Sequence, residues 1–169
     1  MMNILRLVEA LNLPDCWTGA GFVRNVVWDA LHDRPWSPSY SDIDVVYVDA
    51  DNLDPNQDIR TERKLTASIP DIPWSVKNQA RMHRGNGDPP YVDTANALRH
   101  WPETCTAVAV RSVASQIELL APFGIADLVS LIVNPTPAFA HKIGAYRARV
   151  AQKQWAQRWP NLRINGLRD

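Results

Sequence analysis

The chain has two cysteines, Cys16 and Cys105, far apart and each set in an apolar stretch. Such a pair gives no metal spacing and no disulfide framework, and reads as two buried thiols in a reducing cytoplasm. No apolar run approaches the ~18–20 residues a membrane span requires, so no membrane partner is expected. No small-residue cleavage site follows the N-terminal stretch, where Arg6 and Glu9 interrupt the apolar pattern, so the stretch reads as a helix rather than a signal peptide. Internal repeats, low-complexity tracts and linkers are also lacking. Net charge is absent as well, since 18 basic residues balance 18 acidic ones. With 46% hydrophobic residues, the 169-residue chain is long enough to bury one sizeable core, and residues 1–169 are expected to form a single domain.

The zero net charge hides a skew. Six aspartates and no cation lie between Asp42 and Asp58, whereas seven cations and one acid, Asp169, follow Asp127. A phosphate-bearing substrate held between a metal and basic side chains suits that layout, and so does a solvated basic helix face.

Hydrophobic spacing predicts a first helix within residues 1–13, stopped near Pro14, and a short strand in Asp15–Gly21 that runs into a glycine turn. A helix follows over Phe22–Asp33, then a proline-broken loop over Arg34–Tyr40 and a strand over Asp42–Val48. Asp54-Pro55 marks the start of a polar helix reaching about Ala67. Pro73–Met82 alternates, which predicts a strand with Ser75, Lys77, Gln79 and Arg81 on its polar face. A loop turns at Asn86-Gly87, Thr94 caps a short helix, and Cys105–Ser112 and Gln116–Ala121 form a hairpin. An apolar helix over Gly124–Val133 and a long helix over Pro137–Trp159 complete an α/β arrangement.

The chemistry concentrates in "SDIDVVYVD". Side chains alternate along a strand, so Asp42 and Asp44 leave the same face, ~6.5–7 Å apart by backbone rise. Repulsion between them raises a pKa unless positive charge intervenes, and a divalent cation supplies it. Alone, such a pair is more often a turn cap. Upstream stands "TGAGFVRN", a strand end, a glycine turn and a helix start, which together offer close backbone approach and free N–H groups to phosphate.

"GAGFVRN" followed by "SDIDVV" resembles the head of the polymerase-β-type nucleotidyltransferase superfamily. The turn is similar to the G-G-x-V-R-D segment of tRNA CCA-adding enzymes and poly(A) polymerases, with Ala20, Gly21, Arg24 and Asn25 at the two glycine, arginine and aspartate positions. The segments "WSVKNQARMH", "RHWPETCTAVAVR" and "APFGIADLVSLIVNP" extend a likeness to small single-domain bacterial nucleotidyltransferase-like proteins. The resemblance implies a polymerase-β-like nucleotidyltransferase fold, a mixed β-sheet flanked by helices. It implies that Asp42 and Asp44 hold Mg²⁺ (or Mn²⁺) and act in catalysis, and that Gly19, Gly21 and Arg24 lie near the phosphates of an NTP. Lys77 and Arg81 share the expected strand face, which suits further phosphate contacts or pairing with the acidic loop. A third carboxylate, usually on a following strand, would serve as general base. Ser75 stands where that acid is expected, and Glu118 is the next candidate. The expected reaction transfers a nucleoside monophosphate from an NTP to an unidentified acceptor hydroxyl, and RNA is the less favoured acceptor. The alternative is a non-catalytic nucleotide- or partner-binding module that retains the fold.

Overall fold

In the computed structural model, residues 1–35 and 42–167 are described. Most of the proline-broken stretch expected at Arg34–Tyr40, together with Ser41, lies outside them. The first helix, α1 (Met2–Glu9), buries Ile4, Leu5 and Val8, and leads to the short strand β1 (Trp17–Gly19). Helix α2 (Gly21–Ala30) follows at once, then β2 (Ile43–Tyr47) and α3 (Pro55–Ser68). The Asp54 carboxylate caps α3 by accepting from Asn56 N, with Pro55 as the first helical residue.

Strand β3 (Trp74–Asn78) runs parallel to β2, and β1 is antiparallel both to β2 and to β4 (Ala109–Val113). Strand β5 (Gln116–Leu120) pairs antiparallel with β4 as the expected hairpin, so the sheet order is β3-β2-β1-β4-β5. β1 carries only three residues, yet it is the central strand that joins the two halves. On one face Val45, Tyr47 and Val76 pack with Val8 and Leu65; on the other Trp17 and Val46 pack with Leu98, Ala107 and Ala109. β2 is thus buried from both sides, and Asp44 is the one residue of the strand that is not fully buried.

The alternation expected through Met82 ends at Asn78. There the side chain turns back as a helix cap, accepting from Ala80 N (3.0 Å) and Asp49 N (3.1 Å). It also donates to Asp49 O (2.8 Å) and Asn52 O (3.0 Å). Gln79 and Arg81 therefore belong to helix α4 (Gln79–Asn86), not to a strand face. α4 ends on Gly87 in the left-handed region, as the Asn86-Gly87 signal implied. The next helix, α5 (Thr94–Arg99), is capped by Asp93 rather than Thr94; the Thr94 hydroxyl instead donates to Asp15 O.

The two C-terminal helices are corrected more deeply. The apolar run forms α6 (Ala126–Val129), stops at Leu131 with φ 58°, and continues as β6 (Ile132–Val133). β6 pairs in parallel with β7 (Arg163–Ile164). The long helix becomes α7 (Pro137–Ala140), α8 (Ile143–Lys153) and α9 (Trp155–Arg158). Gln154 at φ 49° breaks α8 from α9, and the change of direction lets Trp155 and Trp159 join Tyr146 and Val150 in the main core. No helix among the described residues is long and apolar enough to cross a membrane.

Asn78→Ala strips four backbone groups of their partner at a fully buried position. A loss of about 3 kcal/mol or more is expected in urea unfolding, because each orphaned buried polar group carries its own desolvation penalty.

Candidate functional site

β1 enters the site through Gly19 and leaves it through Ala20, whose backbone takes φ 50°, ψ −120°, a glycine-like conformation. Ala20 N donates to Val108 O at 3.0 Å, which ties the turn to the chain entering β4. A Cβ on Gly19 would meet Trp101 Cη2 at 3.0 Å. Gly19 is therefore small because Trp101 lies on it, whereas Ala20 and Gly21 line an open cleft of about 600 Å³. Gly21 starts α2, so the cleft receives the positive end of that helix.

Asp42 and Asp44 line the same cleft, Asp42 exposed and Asp44 half-buried. Asp44 is the register partner of Gly19 on β1 and of Ser75 on β3. Burial first, and the neighbouring Asp42 charge second, push the Asp44 carboxyl up to about 6; a hydrogen bond from Ser75, with Arg24 and Lys153 nearby, opposes the rise. The Ser75 hydroxyl thus stands beside the acid pair. Lys77, on the same face two residues on, also lines the cleft, with Nζ 3.3 Å from Glu62 Oε1.

Arg24 is buried in the cleft wall. Its guanidinium lies 5.1 Å from the Trp28 ring centre and 4.7 Å from that of Trp155, and its Nε and Nη2 donate to Asn25 Oδ1. Burial lowers its pKa from the ordinary arginine value. Two other candidates are elsewhere. Arg81 pairs with the buried Asp58, which also accepts from Tyr47 Oη at 2.7 Å. Glu118 pairs with Arg111 at 2.6 Å on the edge strand β5, separated from β2 by β1 and β4.

The second wall is built by the C-terminal segment. Arg149, Lys153, Trp155, Arg158 and Trp159 all line the cleft. Arg149 and Lys153, four apart on α8, share one helix face, and that spacing was the available signal. The expected basic face is largely consumed internally. Lys142 pairs with Asp88 (2.9 Å), Arg149 with Glu103 (2.8 Å) and Arg158 with Asp29 (3.1 Å). Arg147 and Arg163 donate to the carbonyls of Gly166 and Ser130. Among the described residues of this segment, Lys153 is the cation left to face Asp44.

A carboxylate pair beside a glycine-type turn at a helix start, on a sheet of this topology, can now be compared with known proteins. A nucleotidyltransferase family profile matches residues 6–164. The chain belongs to the nucleotidyltransferase family. A solved structure described as revealing a CCA-adding enzyme head domain is 34% identical, covering 97% of this chain and 88% of that one, with a TM-score of 0.88. A CCA-adding enzyme solved with CTP is 13% identical over 97% of this chain and 39% of its own, with a TM-score of 0.61. The Thermotoga maritima CCA-adding enzyme complexed with tRNA is 14% identical over 97% and 38%, with a TM-score of 0.58. These last two show a shared fold, and this nucleotidyltransferase spans about two fifths of their length. No curated protein matches the chain. The fold is polymerase-β-like, a mixed five-stranded sheet flanked by helices.

Two outcomes follow from the geometry of this nucleotidyltransferase. Ala20→Gly relieves the left-handed strain and should stabilise the protein by about 1 kcal/mol in denaturant titration, the strain relief outweighing the entropy of a glycine. Asp44 has a folded-state pKa near 6 against an ordinary 3.8, so the folded state holds its proton more tightly and stability falls as pH rises from about 4 to 6. Asp44→Asn should therefore melt higher than wild type at pH 7, with the difference closing below pH 4.

Proposed function

We infer that this nucleotidyltransferase is metal-dependent and transfers a nucleoside monophosphate from an NTP to an acceptor hydroxyl, releasing pyrophosphate. The observation that carries the reading is the crowding of Asp42 and Asp44 at the cleft, with Asp44 displaced to about 6 by burial and by the neighbouring Asp42 charge. The donor set fits a hard cation. It is all oxygen, and two carboxylates leave ligand positions for water and substrate phosphate, as Mg²⁺ prefers. No cluster of three or more His, Cys, Asp or Glu side chains able to hold a metal occurs among the described residues, so substrate oxygens would complete the shell. Asp42 and Asp44 would hold Mg²⁺ (or Mn²⁺), which when bound neutralises charge on the phosphates.

The chain's own residues then position the nucleotide. Gly21 and the start of α2 offer backbone N–H groups to the phosphates, and Lys77 and Lys153 flank them. Ser75, the register partner of Asp44 on β3, stands beside that carboxylate. Because Asp42 and Asp44 are the only carboxylates lining the cleft among the described residues, no third acid stands ready to take the acceptor proton. That observation favours slow turnover, and it is the one that supports the alternative of nucleotide binding without catalysis. A small-molecule hydroxyl is the favoured acceptor. Most cations of the C-terminal segment are already tied internally, leaving few for a phosphate backbone, so RNA is the second acceptor to test.

Calorimetry with a nonhydrolysable NTP, with and without Mg²⁺, tests the metal. Asp42→Asn and Asp44→Asn should each weaken Mg²⁺-dependent binding by about tenfold or more, and equal affinity in all three proteins would reject the site. Mass spectrometry of products tests the chemistry. Ser75→Asp places a carboxylate beside Asp44 and should raise transfer, general-base assistance being worth about 10²–10⁴-fold. A folded Ser75→Asp protein with no gain would move the base elsewhere.

A further inference from the structure

The second wall of the cleft is cationic in sequence but not in net charge. Arg149 Nε donates to Oε1 of Glu103, which is fully buried. Arg158 Nη2 lies 3.1 and 3.2 Å from the two oxygens of Asp29, and Trp159 Nε1 donates to Asp29 Oδ1 at 2.9 Å. Asp29 is fully buried in α2, one turn beyond Asn25. Around it the rings of Trp155 and Trp159 meet Trp28 edge to face, at 5.6 and 5.0 Å, and Trp155 covers Arg24. With both arginines neutralised from behind, this wall offers neutral polar groups and the narrow edges that the otherwise buried Trp155 and Trp159 present to the cleft. Its remaining charge, Lys153, faces Asp44.

An NTP has a highly charged half and an uncharged half. The charged half matches the turn, Lys153 and the cation that the acid pair would hold, and the uncharged half matches the aromatic wall. Core packing buries Trp155 and Trp159 but does not by itself fix their direction. α9 is one turn long and follows the left-handed Gln154, so neither helix length nor continuity with α8 fixes its place. The geometry assigns Asp29 as a positioning residue: by gripping Arg158 and Trp159 it sets the aromatic wall against which the nucleoside half of the NTP lies. The assignment rests on the NTP reading given above.

The test measures the affinity of the full chain, with Mg²⁺, for two probes, a nonhydrolysable NTP and inorganic tripolyphosphate. Asp29→Asn keeps the size and one acceptor oxygen but removes the charge; Trp159→Phe keeps a ring and removes the N–H donor. Asp29→Asn should weaken NTP binding about tenfold and Trp159→Phe about threefold, with tripolyphosphate affinity within about twofold of wild type. A purely structural role would lower the melting temperature and leave that discrimination between probes untouched. If Asp29→Asn fails to fold, Trp159→Phe decides. Unchanged NTP affinity in the folded variants, or equal loss for both probes, overturns the assignment alone. A wild type that binds neither probe overturns the NTP reading and this assignment with it.

Discussion

A carboxylate removed from water must find a cation and hydrogen-bond donors, or its burial is strongly unfavourable. Among the described residues three acids are buried in that way, and each recruits an arginine from elsewhere in the chain. Asp29 draws Arg158, Asp58 draws Arg81, and Glu103 draws Arg149. Where Arg81 of α4 points, and where α8 and α9 lie against Glu103 and α2, both depend on these demands. The apolar clusters supply most of the driving force, but hydrophobic contact is non-directional. The ion pairs supply direction.

The same demand explains which parts of the molecule were legible in its sequence. The β1 turn, the α2 start and the carboxylate pair at the head of β2 are local patterns, and their two-residue and helical periods survive folding. Ser75 was legible for that reason: parity along β3 and parallel register with β2 place it beside Asp44. Arg81 was not, because an asparagine cap at residue 78 ended the strand and a buried acid twenty-three positions upstream captured the guanidinium. Nor was the C-terminal wall. Apolar spacing across Pro137–Trp159 is helical throughout, and nothing local announces the left-handed Gln154 that divides it. The basic character of that stretch was visible, but its partners Asp29, Asp88 and Glu103 lie far away in sequence.

The site that results holds its charges unequally. On the sheet side, two carboxylates crowd one another and neutral Ser75 stands beside them. On the helical side, buried acids cancel the arginines. Nucleotidyl transfer depends on positioning and charge neutralisation more than on covalent help from the protein. A cleft polarised in this way can orient a nucleotide end to end.

The grip of Asp29 on Arg158 and Trp159 spans 129 and 130 residues of chain. Contacts of such separation close large loops and form late, after local helices and hairpins are in place. During synthesis the sheet, the turn and the acid pair can assemble while the C-terminal segment is still inside the ribosome, since chains fold from the N-terminal side as they emerge. The cleft exists only once residue 159 is free. A nascent or prematurely ended chain would expose Trp28 and the edge of α2 without their cover, a greasy surface suited to chaperone capture rather than to chemistry.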